Sequence, residues 1–206
     1  TAEVSINNEH GIATLNMMKA LTEHSNPDFL TFNSDATAAL WEAGDLALAT
    51  MWGSRAGPIL DGEGSTEAIT SSTVVASAPS FAGGSRPSST LWWDGFAIAS
   101  NVSDMDAEAS FIAMMNGISS EMVKANNDLT VWLIDGYKAG PTAVGVSETA
   151  ANGAAPYPML PFMGTLHGAA GAELTDFLQG NESAEQALSD IEAAYTAAAI
   201  EKGFLN

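Results

Sequence analysis

Leu46-Ala47-Leu48-Ala49-Thr50-Met51-Trp52-Gly53-Ser54-Arg55 is the stretch on which the reading of the fold turns, together with its echo Leu91-Trp92-Trp93-Asp94-Gly95-Phe96-Ala97-Ile98-Ala99. Each is a short apolar run that meets a Trp next to a Gly or an acid. Runs of this length, bounded by turn residues, predict buried strands. A helix over residues 32–45 precedes the first and stops at Gly44, a natural left-handed C′ residue. The pattern predicts a mixed sheet flanked by helices, with indole rings carried to an open edge.

Composition narrows the function. The chain has 206 residues, enough for a large core, and 46% of them are apolar. It carries 25 acidic residues against 6 basic ones, a formal charge of −19. No run reaches five like charges, so the acids read as a solvated surface. Such a field repels phosphate backbones and anionic lipid, which argues against nucleic acid as a partner. Cysteine is absent, which removes disulfides and thiolate chemistry. No apolar run is long enough to predict a transmembrane helix. The chain opens at Thr1 with neither an initiator Met nor a leader, and so reads as processed or cut from something longer.

Outward from the central stretch, residues 2–7 read as an edge strand or an extended lead-in. Asn8 predicts the cap of a helix over residues 9–24, with Ile12, Leu15, Met18 and Leu21 inward. Asn33 or Ser34 caps the helix ending at Ala43. Residues 73–78 predict another strand, stopped by Pro79, and residues 81–90 an exposed loop. From Asp104 the pattern turns helical: Ser103 or Asp104 caps a helix to Asn116 burying Phe111, Ile112 and Met115, then short helices cover residues 119–126 and 129–137. Three prolines (Pro156, Pro158 and Pro161) forbid a long helix across residues 141–163. Residues 166–178 can be helical, ending at Gly180. Ser183-Ala184-Glu185-Gln186 fits a capping box, and Leu188, Ile191, Tyr195 and Ala198 follow at helical spacing. The class is α/β or α+β with a helix-rich C-terminal half.

Catalytic signatures are weak. His10, His24 and His167 lack partners at metal spacing, so no metal site or cofactor is expected. Gly145-Val146-Ser147-Glu148 fails the nucleophile elbow at its last position. Asp61-Gly62-Glu63-Gly64 reads as an acidic turn better than as a calcium loop. The tryptophans speak more clearly. Trp52, Trp92 and Trp93 stand next to Gly or at loop mouths, where a ring face can pack on the C–H side of a sugar while polar groups bind hydroxyls. Plain core packing is the competing reading for each. Adjacent strand residues face opposite sides, so only one of Trp92 and Trp93 can address a given cleft. Trp41 and Trp132, on helical faces, read as core.

A helix ending in Gly44-Asp45, a strand closed by Trp52-Gly53-Ser54, a strand over residues 74–79 ending in Pro79, the Ala82-Gly83-Gly84 loop, an aromatic-Gly strand over residues 92–99, a helix over residues 107–115, a helix from Leu174 to Gly180 and a long helix opening Ser183-Ala184-Glu185 follow one another in order. Together they resemble the extracellular solute-binding proteins of bacterial ABC importers, of the carbohydrate-binding kind. The resemblance spans nearly the whole chain. It implies the C-terminal lobe of a periplasmic-binding-protein-like II fold, covering residues 1–206, with residues 95–116 crossing to a first lobe that this sequence lacks. It implies a monomeric, non-catalytic receptor, periplasmic or extracellular, that closes by hinge motion on a sugar or polyol and delivers it to the permease's transmembrane subunits. By position, the ligand-binding candidates are Trp52, Gly53, Ser54 and Arg55, then Trp92, Trp93, Asp94 and Gly95. A third segment brings His167 as a hydrogen-bond donor and Phe162 as a substitute aromatic. The alternatives are a glycoside hydrolase with paired carboxylates, and an interaction module whose tryptophans are core.

Overall fold

The computed structural model describes residues 2–206; Thr1, on which the expectation of a processed start rests, lies outside them. In chain order the helices are α1 (Glu9–Thr22), α2 (Ser34–Ala43), α3 (Ala56–Ile59), α4 (Glu67–Ser72), α5 (Asp104–Gly117), α6 (Ser120–Ala125), α7 (Val144–Ala151), α8 (Met163–Gln179) and α9 (Ala184–Glu201). Strands β1 (Thr90–Leu91) and β2 (Ala155–Pro156) pair in parallel. The chain is therefore α/β and mostly helical, with a small parallel sheet where a larger mixed one was expected. It divides into two compact units, one of Thr1–Phe32 with Pro158–Asn206 and the other of Asn33–Tyr157.

The first unit joins the chain's two ends. The Asn8 side chain accepts from the amides of His10 and Gly11 at 2.9 and 3.1 Å and so caps α1, an arrangement worth about 1 kcal/mol. Leu15 is buried with Phe177, Ala184, Ala187 and Leu188, and Ile12 and Met18 pack against that cluster. Each large side chain buried here contributes roughly 1.5–3 kcal/mol. Leu21, expected inward, is 58% exposed, so the apolar stripe of α1 ends one turn early. Along α9, Leu188, Ile191, Tyr195 and Ala199 are buried, and the Tyr195 hydroxyl donates to the Ala2 carbonyl. Only half of the expected capping box forms. Ser183 Oγ accepts the Gln186 amide at 3.2 Å, but the Gln186 side chain donates to the Asp190 carboxylate instead of turning back. Residues 2–7 form no ladder.

In the second unit, Asn33 accepts the Ala36 amide at 2.9 Å to start α2, and Gly44 ends it at φ 81°. Beyond Gly44 the expected strands dissolve. Residues 46–52 have no regular structure and Leu48 is 90% exposed; residues 73–79 likewise form no strand, with Val74 at 85%. Of residues 91–99 only Leu91 belongs to a strand, and Phe96 is 70% exposed. An apolar run states a preference for burial, but a strand also needs a neighbouring chain about 4.8 Å away to take its N–H and C=O groups. Composition does not supply that neighbour.

Helix α5 forms on its Ser103 cap as expected, yet Phe111, Ile112 and Met115 are half or more exposed instead of buried. They were read inward because their spacing is helical, but apolar residues occur on every side of this helix. Phe96, Ile98, Phe111, Met114, Met115 and Ile118 line an open apolar groove along it. Residues 129–137 are not helical. Asn127 pairs with both the amide and the carbonyl of Lys138, at 2.9 and 2.8 Å, and Gly136 turns at φ 98°. Both devices close a loop, and Leu133 is left 75% exposed on it. Burial, and then the Asp128 carboxylate, raise the Tyr137 phenol above its usual value in that loop. Helix α7 rises within the stretch read as loop-rich, between Pro141 and Pro156, and its Thr149 is buried. Trp41 and Trp132 are half-buried, each donating its indole N–H, to Thr73 Oγ1 and the Asn126 carbonyl respectively.

Candidate functional site

Three aromatic rings of the second unit come together. The ladder between β1 and β2 sets Leu91 opposite Pro156, and the Tyr157 amide donates to the Leu91 carbonyl at 2.9 Å. Position 92 therefore lies beside position 157. Trp92 and Tyr157 stack with ring centroids 3.8 Å apart and planes 29° from parallel. Trp92 also donates its indole N–H to Thr90 Oγ1 at 2.9 Å, which fixes the rotation of the ring. Trp52 meets Trp92 at 5.6 Å with the planes 78° apart. Such edge-to-face pairs are worth about 0.5–1.5 kcal/mol beyond the area they bury. Even so, Trp52 is 54% and Trp92 45% exposed. The rings form a corner that is fixed by its own contacts and open to solvent.

Local geometry delivers Trp52 to this corner. After Gly44 the chain crosses residues 45–52 and tightens into a 3₁₀ turn over Gly53–Arg55, which leads directly into α3. A Cβ on Gly53 would lie 2.9 Å from Val146 Cβ, so only glycine lets the turn close on α7 at this point. Arg55 reaches back to the first turn of α2. Its guanidinium contacts Asp35 Oδ1 at 2.8 Å and donates to Ser34 Oγ at 3.2 Å. The exposed pair adds little stability, about 1 kcal/mol at most, but it ties the turn after Trp52 to α2. Arg55, expected as a ligand group, is thus engaged within the protein.

The remaining candidates divide. Ser54 is exposed beside Trp52. Trp93, Asp94 and Gly95 follow Trp92 on an exposed, unpaired segment, and the ring contacts that reach Trp52 run through Trp92. Phe162 and His167 belong to the other unit. There Phe162 lies at the start of α8 and packs edge-on against Phe204 at 6.3 Å, while His167 is exposed on the same helix.

Tyr157 was missed by sequence reasoning. Its signal was an aromatic between two prolines, Pro156-Tyr157-Pro158, which biases the residue toward extended backbone and so toward ladder geometry. Among the described residues no helix is long and apolar enough to cross a membrane. Compared with protein-family models and with curated proteins, the chain matches none.

Proposed function

We propose that this chain is the C-terminal portion of an extracellular solute-binding protein of an ABC importer, of the carbohydrate-binding kind and of periplasmic-binding-protein-like II fold. On this reading it captures a sugar, polyol or related small solute by aromatic stacking and hydrogen bonds. It performs no catalysis and hands the solute to the permease's transmembrane subunits, working as a monomer in a periplasmic or extracellular space. The observation that carries the reading is the Trp52–Trp92–Tyr157 corner: ordered by ring contacts and a backbone hydrogen bond, yet half open to solvent. A preformed apolar wall with polar groups at its margin is the usual make-up of a small-molecule site. Ser54 and Asp94 stand two residues from Trp52 and Trp92 and are exposed, available for hydroxyl groups.

Two further features support it. Helix α2 ends at a left-handed Gly44 shortly before Trp52-Gly53, as the resemblance implies, although the strand it places between them is absent. The apolar side chains left in water at Leu48, Val74, Phe96 and along α5 are what a lobe belonging to a larger receptor would present to its companion.

The test is a thermal-shift and tryptophan-fluorescence titration of the chain with glucose, maltose and mannitol. Binding adds RT ln(1 + [L]/Kd), about 2.7 kcal/mol at a hundredfold excess over Kd. The expected result is a saturable rise in Tm with at least one solute, abolished by Trp92→Ala. A fluorescence and melting response flat to every small solute tried would end the reading.

A further inference from the structure

Resting on the reading of Trp52 and Trp92 as a platform for a small solute, we infer that Asp35 and Ser34, at the start of α2, are positioning residues of that platform, acting on Trp52 through Arg55. The path is short. The Arg55 amide donates to the Trp52 carbonyl at 2.9 Å, so the two residues close one hydrogen-bonded turn. From that turn the guanidinium reaches α2, with Nη1 2.8 Å from Asp35 Oδ1 and Nη2 donating to Ser34 Oγ at 3.2 Å. Two neighbouring residues thus hold two prongs of one planar group, which a guanidinium allows and a lysine ammonium does not. Anchoring both prongs fixes the plane of the group, and with it the turn that carries Trp52.

Trp52 needs such a brace. The indole N–H of Trp92 is tied to Thr90 Oγ1, and those of Trp41 and Trp132 are tied to Thr73 and Asn126. The Trp52 indole makes no hydrogen bond among the described residues, and its ring contact is the edge-to-face one with Trp92. The chain arriving at Trp52 adds little restraint, since residues 46–52 lie outside any regular element and Leu48 is 90% exposed. Helix α2 is the firm point. Asn33 caps it at 2.9 Å, and Trp41 pins it to Thr73 at 3.1 Å.

The same geometry decides between two roles for Arg55. A ligand group must be free to meet the solute, whereas both terminal nitrogens of Arg55 are turned to α2. A brace works only while it stays there. The ion pair is exposed, at 43% and 71% of its two side chains, so it shifts the balance between braced and loose turn by no more than about fivefold. That is enough to tune an affinity and too little to decide folding. The two roles also differ in sign. Removing Asp35 would release a ligand-binding arginine toward the solute, but it takes a brace away.

The test has two readouts on the full chain. Circular dichroism follows the far-ultraviolet exciton couplet of the Trp52–Trp92 pair, which Trp92→Phe removes, and needs no ligand. Tryptophan fluorescence gives the Kd for glucose, maltose and mannitol. Asp35→Asn and Arg55→Gln should each shrink the couplet and weaken whichever solute the parent binds, by up to about fivefold. Arg55→Lys keeps the charge without the fork and should recover part of both. Lys202→Gln, in the other unit, matches the charge change of Arg55→Gln and should alter neither. Thermal melts confirm that each variant folds. A couplet and Kd unmoved in Asp35→Asn and Arg55→Gln overturn the inference, as does a smaller couplet with an unchanged Kd. Tighter binding in Asp35→Asn with weaker binding in Arg55→Gln overturns it too and makes Arg55 a ligand contact. In each of these cases the platform itself stands. A parent chain that binds none of the three solutes removes the platform, and the inference with it.

Discussion

Glu192 on α9 accepts the backbone N–H of Ile6 at 2.7 Å, and the same carboxylate oxygen takes the N–H of Asn7 at 2.9 Å. The stretch before α1 forms no ladder, so a side chain from the far end of the sequence does what a neighbouring strand would have done. Charge-assisted hydrogen bonds of this sort are the stronger ones, about 1.5–3 kcal/mol each when shielded and less at a partly open site. Glu192→Ala should therefore destabilise the chain by about 1–3 kcal/mol in urea denaturation. Glu192→Gln, which keeps an acceptor and loses the charge, should recover about half. A midpoint unchanged in both variants would mean that the amides are equally well served by water.

Thr149 gives the backbone a second, uncharged side-chain partner. Its hydroxyl donates to the Gly145 carbonyl at 2.6 Å and accepts the Ala78 amide at 2.9 Å, at a buried position. Thr149→Val keeps the volume and removes both partners. The Ala78 N–H then loses its acceptor, at a cost of about 1–3 kcal/mol. Hydrogen exchange at Ala78 should accelerate more than exchange along α2, which does not share that bond.

Glu182, at the turn between α8 and α9, has its carboxyl raised above the usual range. Desolvation is the first cause, followed by the charges of Asp190, Asp176 and Glu173. A carboxylate raised on folding means that the native state binds more protons than the unfolded one between the two pKa values. Stability must then fall as pH rises through that window. The penalty is fully present above the folded value and gone below the unfolded value of about 4.3. Glu182→Gln should accordingly melt higher than the parent at about pH 7, and the two curves should converge below about pH 4. A gap between them that is independent of pH would refute the electrostatic cause.

The charge of the whole chain makes a broader demand. With 25 acids against 6 bases most carboxylates have no cation to pair with, and their mutual repulsion opposes the folded state. Salt shortens the reach of that repulsion from about 10 Å at 0.1 M to about 3 Å at 1 M. Raising NaCl from about 0.1 M to about 1 M should lift Tm by roughly 5 °C or more, by the usual conversion for chains of this size. A Tm indifferent to NaCl would show that the acids lie too far apart to repel one another appreciably.

What could be read in advance was local. The caps Asn8, Asn33, Ser103 and Ser183 were all placed correctly or to within the neighbouring residue, because a cap is decided by a side chain and an amide two or three residues away. Gly44 and Gly180 likewise take the left-handed conformation at their helix ends. The strands at residues 46–55, 73–78 and 91–99 were misjudged because pairing is not local: nothing within Leu46–Met51 encodes whether another chain will lie alongside. Of the site, the sequence pointed to Trp52 and to the Trp92–Trp93 pair but could not say which indole of the pair would meet Trp52. It missed Tyr157 because the register that sets Tyr157 beside Trp92 depends on a ladder that sequence alone did not foretell.

That ladder is short: Thr90 and Leu91 against Ala155 and Pro156, extended by one amide, that of Tyr157. A seam of this length has little to hold it shut except the rings just beyond its end. Fraying and the loss of the indole stack are therefore a single event. A molecule that settles on Trp92 acts as a clasp on two distant stretches of chain, and the Tyr157 amide proton, slow to exchange only while the clasp is closed, keeps the record of its occupancy.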